Sequence, residues 1–186
     1  MIYITSDTHF GHDKIITYTN RPYRSILEMD STLITNWNSV VKDVDTIYHL
    51  GDFCLGDALM AERYFEQLNG HIHVLPGSHD SRWWNENYTS KSGHEVVHEP
   101  PVVELAFDEY GSVGYPLYVI LSHYSHRVWS RSHYGSIHLY GHSHGRLSDL
   151  GKSMDVGVDV FPTPVSIEKI VEIMRYKVVH NGIKKE

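Results

Sequence analysis

"HIHVLPGSHD", residues 71–80, is a strand-like run that stops in a proline-glycine turn and presents a histidine and an aspartate side by side. The arrangement recurs upstream, where "IYIT" (2–5) closes on Ser6-Asp7 and "DTIYHL" (45–50) closes on Gly51-Asp52. Helical patterns lie between these strands. "DKIITY" reads as a short helix, and "SILEMDSTLITNWNSVV" (25–41) places Ile26, Leu27, Leu33, Ile34, Trp37 and Val41 at helical spacing. "ALMAERYFEQLNG" (58–70) reads as a helix closed by Gly70. Strand and helix in alternation imply parallel crossover units. The second half has shorter connections. There "EVVHEPPVVELAF", "YPLYVILS", "GSIHLYG" and "MDVGVDV" predict a second sheet packed on the first, and "SIEKIVEIMRY" (166–176) one more amphipathic helix with Ser166 as N-cap. The expected class is α/β, as one domain over residues 1–186 with no linker.

Composition limits the function. With 41% hydrophobic and 21% charged residues the chain is ordinary for a folded domain. A formal charge of −7 and no basic block argue against capture of long nucleic acid and leave a small phosphorylated substrate open. A single cysteine, Cys54, precludes an internal disulfide and a thiolate-rich zinc site, so the reducing cytosol fits best. No apolar run is long enough for a membrane span, and "MIYIT" is too brief for a signal peptide. The anomaly is histidine, fifteen in 186 residues.

Five turns carry carboxylate or imidazole: "SDTHFGH", "LGDF", "PGSHD", "LSHY" and "YGHSHG". In α/β sheets the carboxyl ends of strands are where sites are built. Asp7-x-His9 and His142-x-His144, read as extended strand ends, would each point two side chains to one face. Two such pairs, a shared aspartate and a further histidine supply nitrogen and oxygen donors for two divalent cations. Without cysteine this set suits Mn, Fe, Zn, Co or Ni, or Mg, rather than copper(I) or an iron-sulfur cluster. Two cations roughly 3.5–4 Å apart can activate a water and clamp a phosphoryl centre. Phosphoester hydrolysis suits that arrangement best.

The ordered set Asp-x-His, Gly-Asp, Gly-Ser-His-Asp, a strand-end His and Gly-His-x-His, from Asp7 to about Asp159, resembles the calcineurin-like metallophosphoesterase superfamily, in particular its small bacterial and phage-type members. The resemblance implies a four-layer α/β/β/α sandwich with two mixed sheets and a cofactor of two divalent metal ions, Mn foremost. It implies that Asp7, His9 and His144 hold one metal, that Asp52 bridges, and that His123 and His142 hold the second. His79 matches the family's catalytic histidine, which contacts the phosphate and protonates the leaving oxygen, with Asp80 orienting it. Ser78 departs from the pattern, which has a metal-ligating asparagine there. Serine is shorter and would need a bridging water, so the second site should be weakened.

Arg127, His12 and His133 are candidate substrate contacts, with Arg21 and Arg131 as further guanidinium candidates for phosphate. His126 competes with His123 in "SHYSHR". His49, His71, His73 and His138 lie within strands and read as structural, while His94, His98 and His180 read as solvated. The expected substrate is a small phosphodiester or nucleotide-type molecule rather than a simple monoester. A catalytically impaired metal-binding or protein-interaction module on the same fold stays open, favoured by Ser78. A metallo-β-lactamase-like hydrolase is disfavoured, because "HSHGRL" lacks the second half of that group's ligand cluster.

Overall fold

Strand β1 (Ile2–Thr5) is followed by helices α1 (Asp13–Thr19) and α2 (Ile26–Val40) and by β2 (Thr46–His49), which runs parallel to it. Helix α3 (Ala58–Phe65) crosses to β3 (His71–Val74), parallel to β2, and β4 (Val97–His98) adds a further parallel strand. The chain then forms β5 (Val102–Ser112), β6 (Tyr115–Ser122), β7 (Ile137–Tyr140) and β8 (Ser153–Asp155). It returns through β9 (Val165–Ser166), antiparallel to β1, into helix α4 (Ile167–Met174). This is a computed structural model, and it describes residues 1–179. The described residues form a mixed α/β fold with two mixed sheets, ordered β4-β3-β2-β1-β9 and β5-β6-β7-β8.

Local chemistry sets the helix starts. Ser25, Asp57 and Ser166 each accept the backbone N–H three residues on, satisfying a donor that the first turn leaves open. Helix α3 stops at Phe65, short of the predicted end at Gly70. Gly70 instead takes a positive φ of 102° where a Cβ would lie 2.8 Å from Val41, so it serves the entry to β3. Leu27 is exposed, and Met29 fills the helix's inner face in its place. The predicted run "EVVHEPPVVELAF" divides between the two sheets: β4 pairs with β3, and β5 pairs with β6. Pro100 and Pro101 separate them because neither has an N–H for a ladder.

Strand alternation sorts two cores. Ile47, Ile72 and Val74 face the helices with Met29, Leu33, Trp37 and Phe65, whereas Ile4, Tyr48, Leu121 and Leu139 meet between the sheets with α4 residues Ile167, Ile170 and Met174. A one-residue slip of β2 would exchange these faces, forfeiting about 1.5–3 kcal/mol for each large side chain exposed. The outer face of the second sheet, with Ile120, His138 and Tyr140, is buried beneath the segment after β6, where Trp129 and His126 lie against His138. A bridge between Ser6 and Gly157 joins the ends of β1 and β8 across the two sheets. No helix of the described residues is long and apolar enough to cross a membrane.

Candidate metal centre

The turns that leave β1, β2, β3, β6 and β7 at their carboxyl ends meet at one edge of the molecule and are stitched by backbone bonds. Asp7 N–H donates to Gly51, His9 N–H to Asp52 and Gly141 N–H to His123. Asp7, His9, Asp52, His142 and His144 all have φ between 49° and 62°. Extended strand ends would not give this, so the expected same-face geometry of the two paired motifs is corrected. These residues occupy left-handed turns, a conformation that Asp and His tolerate better than branched residues. Of seven non-glycine residues with positive φ among those described, five belong to this cluster, and such strain gathers where a site holds it in place. Glycine is required at two close approaches: a Cβ on Gly77 would lie 2.1 Å from the Asp52 nitrogen, and one on Gly141 2.0 Å from Ser6 Oγ.

The side chains form two groups able to hold a cation, Asp7–His9–His144 and Asp52–His123–His142, matching the division expected from the motifs. Ligand atoms within each group lie within 4.8 Å of one another. Asp52 stands between the groups, its Oδ2 3.5 Å from both His9 Nε2 and His123 Nε2. A third overlapping group, His9–Asp52–His79, extends the cluster toward the exposed His79. His123 Nδ1 donates to the Leu50 carbonyl at 2.9 Å, because a carbonyl only accepts, and this leaves the lone pair on Nε2 aimed at Asp52. His144 is fixed in the same way, its Nδ1 2.7 Å from Asp159 Oδ2. Asp159 is in turn held by Arg21 through two bonds of 2.9 and 2.8 Å. Such outer partners fix the tautomer and direction of a metal-binding imidazole.

The donor set passes a direct test of fit. Of four buried side-chain atoms without a hydrogen-bond partner among the described residues, two, His9 Nε2 and His123 Nε2, lie in this cluster, and such orphans are rare in folded proteins. A divalent cation beside each would satisfy them, and the oxygen and imidazole donors suit a hard or borderline ion. Without a cation the groups depend strongly on one another: burial acts to lower His123 and His144, but Asp52 raises the first and Asp159 the second. Burial raises Asp7 to about 7, with Asp52 and Asp155 adding to the effect and His123 and His144 opposing it. Burial pulls His9 down to about 2, so its imidazole is neutral. Burial also acts to raise Asp52, but His123 and His9 hold it well below the usual carboxylate range.

The uncharacterized protein MJ1445 of Methanocaldococcus jannaschii is 33% identical over 178 residues, which span 93% of this chain and 90% of that protein. The chain belongs to its family. The gene 66 protein of Mycobacterium phage L5 is 24% identical over 206 residues, covering 97% of each. The crystal structure of the protein of unknown function AQ665 from Aquifex aeolicus covers 93% of this chain and 98% of its own, with a TM-score of 0.64 and 21% identity, and shares the fold. No protein-family profile matches the chain.

Several expected roles are revised. Asp80 does not reach the His79 ring: its buried carboxylate accepts the backbone N–H groups of Asp52, Phe53 and Gly77 at 2.7–2.9 Å. It clamps the β2 and β3 turns together and holds the loop that carries His79. Burial and the nearby Asp52 raise it to about 6. His79 itself donates its backbone N–H to Asp52, and Ser78 Oγ donates to the same carboxylate at 3.0 and 3.2 Å. Ser78 is thus a hydroxyl partner of Asp52. His12 does face the cleft, its ring 5.3 Å from that of His9 and 5.8 Å from that of His79. Arg127 and His133 do not line the cleft: both are exposed on the segment covering the second sheet, and the His133 ring lies against that of Tyr134. Arg21 is buried against Asp159 and the carbonyls of Asp7 and Thr8, and Arg131 pairs with Glu104, so neither is a phosphate contact. His126 lies on His138, away from the cluster. His98, expected to be solvated, is half-buried against Trp84, and His180 lies outside the described residues. Asp159 and Arg146 escaped the motif reading, although Asp159 lies within "GVDV" (157–160), in the turn that follows β8.

Proposed function

We propose that the chain is a metal-dependent phosphoesterase of the calcineurin-like metallophosphoesterase type, its two sheets forming the inner layers of that fold's sandwich. One observation carries the reading: two buried imidazoles with orphaned Nε2 atoms flank one carboxylate, Asp52, at the carboxyl ends of parallel strands. Asp7, His9 and His144 would hold one divalent cation, His123 and His142 a second, with Asp52 shared and Mn the foremost candidate. Bound there, the pair would supply Lewis acidity to a phosphoryl oxygen and a water activated for attack.

The protein's own groups account for the rest. Asp52, Asp7 and the oriented imidazoles hold the charge and geometry of the centre. Hydrolysis makes one P–O bond from water and breaks the ester P–O bond, and the leaving oxygen needs a proton. His79, exposed at the cleft with its Nε2 4.0 Å from Asp52, would donate it. His12, beside both His79 and His9, adds a contact for a phosphate oxygen.

A second reading, a binding module with impaired catalysis, gains from Asp80. Its clamp on the β2 turn gives it a structural reason to be present whether or not His79 acts as an acid. The discriminating experiment measures metal stoichiometry and turnover of bis-p-nitrophenyl phosphate and p-nitrophenyl phosphate with Mn, Ni, Zn and Mg, in the wild type and His79→Ala. We expect two cations per chain, faster turnover of the diester, and its loss in His79→Ala. Two bound cations with neither substrate hydrolysed would support the module, and turnover surviving His79→Ala would remove that residue's role.

A further inference from the structure

The stretch "HFGH" (9–12) leads from the metal cluster into α1 and brings two imidazoles together. Phe10 is fully buried and pins the stretch, its N–H donating to the Phe53 carbonyl and its carbonyl accepting from Leu55. Gly11 takes a φ of 75°, and the His12 N–H then reaches the His9 carbonyl at 3.0 Å, closing a tight turn. The two rings end 5.3 Å apart, with their Nδ1 atoms 3.3 Å from each other. Two lone pairs or two N–H groups facing at that distance would repel. One hydrogen between them bonds, so one ring donates and the other accepts.

Which ring donates follows from the far side of His9. Its Nε2 is buried with no hydrogen-bond partner, 3.5 Å from Asp52 Oδ2 and 3.9 Å from Asp7 Oδ1. A neutral imidazole has one N–H. Placed on Nε2, that hydrogen would be a buried donor without an acceptor; placed on Nδ1, it is bonded to His12. His12 therefore accepts at Nδ1 and carries its own hydrogen on Nε2. Its place in the fold agrees, because it occupies the N-cap of α1, where a side chain normally accepts an N–H of the first turn, and it makes no such bond. The ring is turned to His9 instead.

The other oriented imidazoles have different partners, the Leu50 carbonyl for His123 and the Asp159 carboxylate for His144. Of the three partners only His12 lines the cleft, beside His79.

We infer that His12 is the positioning residue of His9: it accepts the Nδ1–H, which leaves the Nε2 lone pair for the first cation, and it offers its own Nε2–H to a phosphoryl oxygen in the cleft. The inference rests on the proposed metal-dependent reading for the cation and the phosphoryl group, while the place of the hydrogen between the two rings stands apart from it.

The test uses the whole chain and three variants that treat the two nitrogens of His12 separately. In His12→Asn the amide lies near the position of Nδ1 and can accept from His9, in His12→Gln it lies near Nε2 and can donate to the cleft, and His12→Leu does neither. Long-range ¹H–¹⁵N spectra of the metal-free protein, assigned by the signals lost in His9→Gln and His12→Gln, should show His9 carrying its hydrogen on Nδ1 and His12 on Nε2. Titration with Mn²⁺ should find first-cation affinity about tenfold lower in His12→Leu and His12→Gln and close to wild type in His12→Asn. With bis-p-nitrophenyl phosphate at saturating Mn²⁺, His12→Asn should raise KM several-fold and leave kcat little changed. A hydrogen on His9 Nε2, or equal loss of Mn²⁺ affinity in His12→Asn and His12→Leu, would overturn the positioning role. So would a fall in Tm in His12→Leu with equal weakening of both cations, which would make the residue structural. An unchanged KM in His12→Asn would remove the cleft donor. The expected hydrogen positions in a wild type that binds no Mn²⁺ or hydrolyses nothing would keep the pairing of His9 with His12 and refute the phosphoesterase reading.

Discussion

His123, in the turn after β6, and His138, within β7, are both buried, yet they are chemically opposite. His138 has each ring nitrogen satisfied by protein: Nδ1 meets the Ile120 carbonyl at 3.2 Å and Nε2 accepts the His126 N–H at 3.0 Å. His49 is similar, bonded to Thr8 Oγ1 and to the Gly51 N–H. His123 has one nitrogen satisfied, by Leu50, and the other directed at Asp52 without a hydrogen bond. His138 and His49 are thus packing elements, whereas His123 keeps a donor free for the centre proposed above. Burial alone does not separate them, and neither does an unsatisfied nitrogen alone, since His98 Nε2 is also without a partner; what sets His9 and His123 apart is that their unsatisfied Nε2 atoms flank Asp52.

The largest expected effect comes from setting the two against each other. His123→Ala should reduce bound metal from two cations to one and turnover by about a thousandfold, the scale of losing several kcal/mol of charge stabilisation. His138→Leu should keep metal stoichiometry and cost about 1–3 kcal/mol of stability, because it strands the Ile120 carbonyl and the His126 N–H. Metal analysis by mass spectrometry together with chemical denaturation checks both, and equal metal loss in the His138 variant would break the distinction.

Acid should expose the same contrast in the metal-free protein. Burial lowers His138 from 6.5 to about 4, so the folded state excludes a proton that the unfolded chain takes up. The contribution is fully present above pH 6.5 and is lost as pH falls toward 4, about 3 kcal/mol in all. Urea unfolding between pH 7 and 4 should show that loss in the wild type and a smaller one in His138→Leu. An identical slope in both would remove His138 as its source.

Within the site, the first-cation half is braced by Arg21 and Asp159 through His144, while the second includes the exposed His142 and has serine at position 78. Asp159→Asn should weaken the tighter-bound cation by about 10–100-fold, as loss of an imidazole's orienting carboxylate does elsewhere; titration with Mn²⁺ reads it, and an effect confined to the weaker cation would reverse the assignment. The smallest change expected is from Ser78→Asn. An amide oxygen reaching the second cation should raise its affinity by about tenfold or less and increase turnover with Mn supplied. Unchanged titration and turnover would show that the hydroxyl bound to Asp52 already serves.

The strands, the helices and the five polar turns were legible because their signals are local: apolar periodicity, N-caps, and carboxylate or imidazole where a strand stops. Asp80, Arg127 and Arg21 were less legible. Each has the right chemistry near the right motif, but one carboxylate is taken by three backbone donors, one guanidinium lies on the far covering segment, and one is buried against Asp159. Nothing within a few residues of any of them signals which partner will win. The left-handed turns at Asp7 and His142 were likewise read as extended strand, since Asp and His accept either conformation.

By itself the sequence determined the alternation of strand and helix, the two-sheet class and the choice of oxygen and imidazole donors, because residue type and spacing suffice for these. The tertiary structure decided which ring nitrogen of His9 and His123 was left without a partner, and which carboxylate orients His144. Those outcomes depend on carbonyls and carboxylates distant in sequence, such as Leu50 for His123 and Asp159 for His144, that only folding brings within hydrogen-bonding distance.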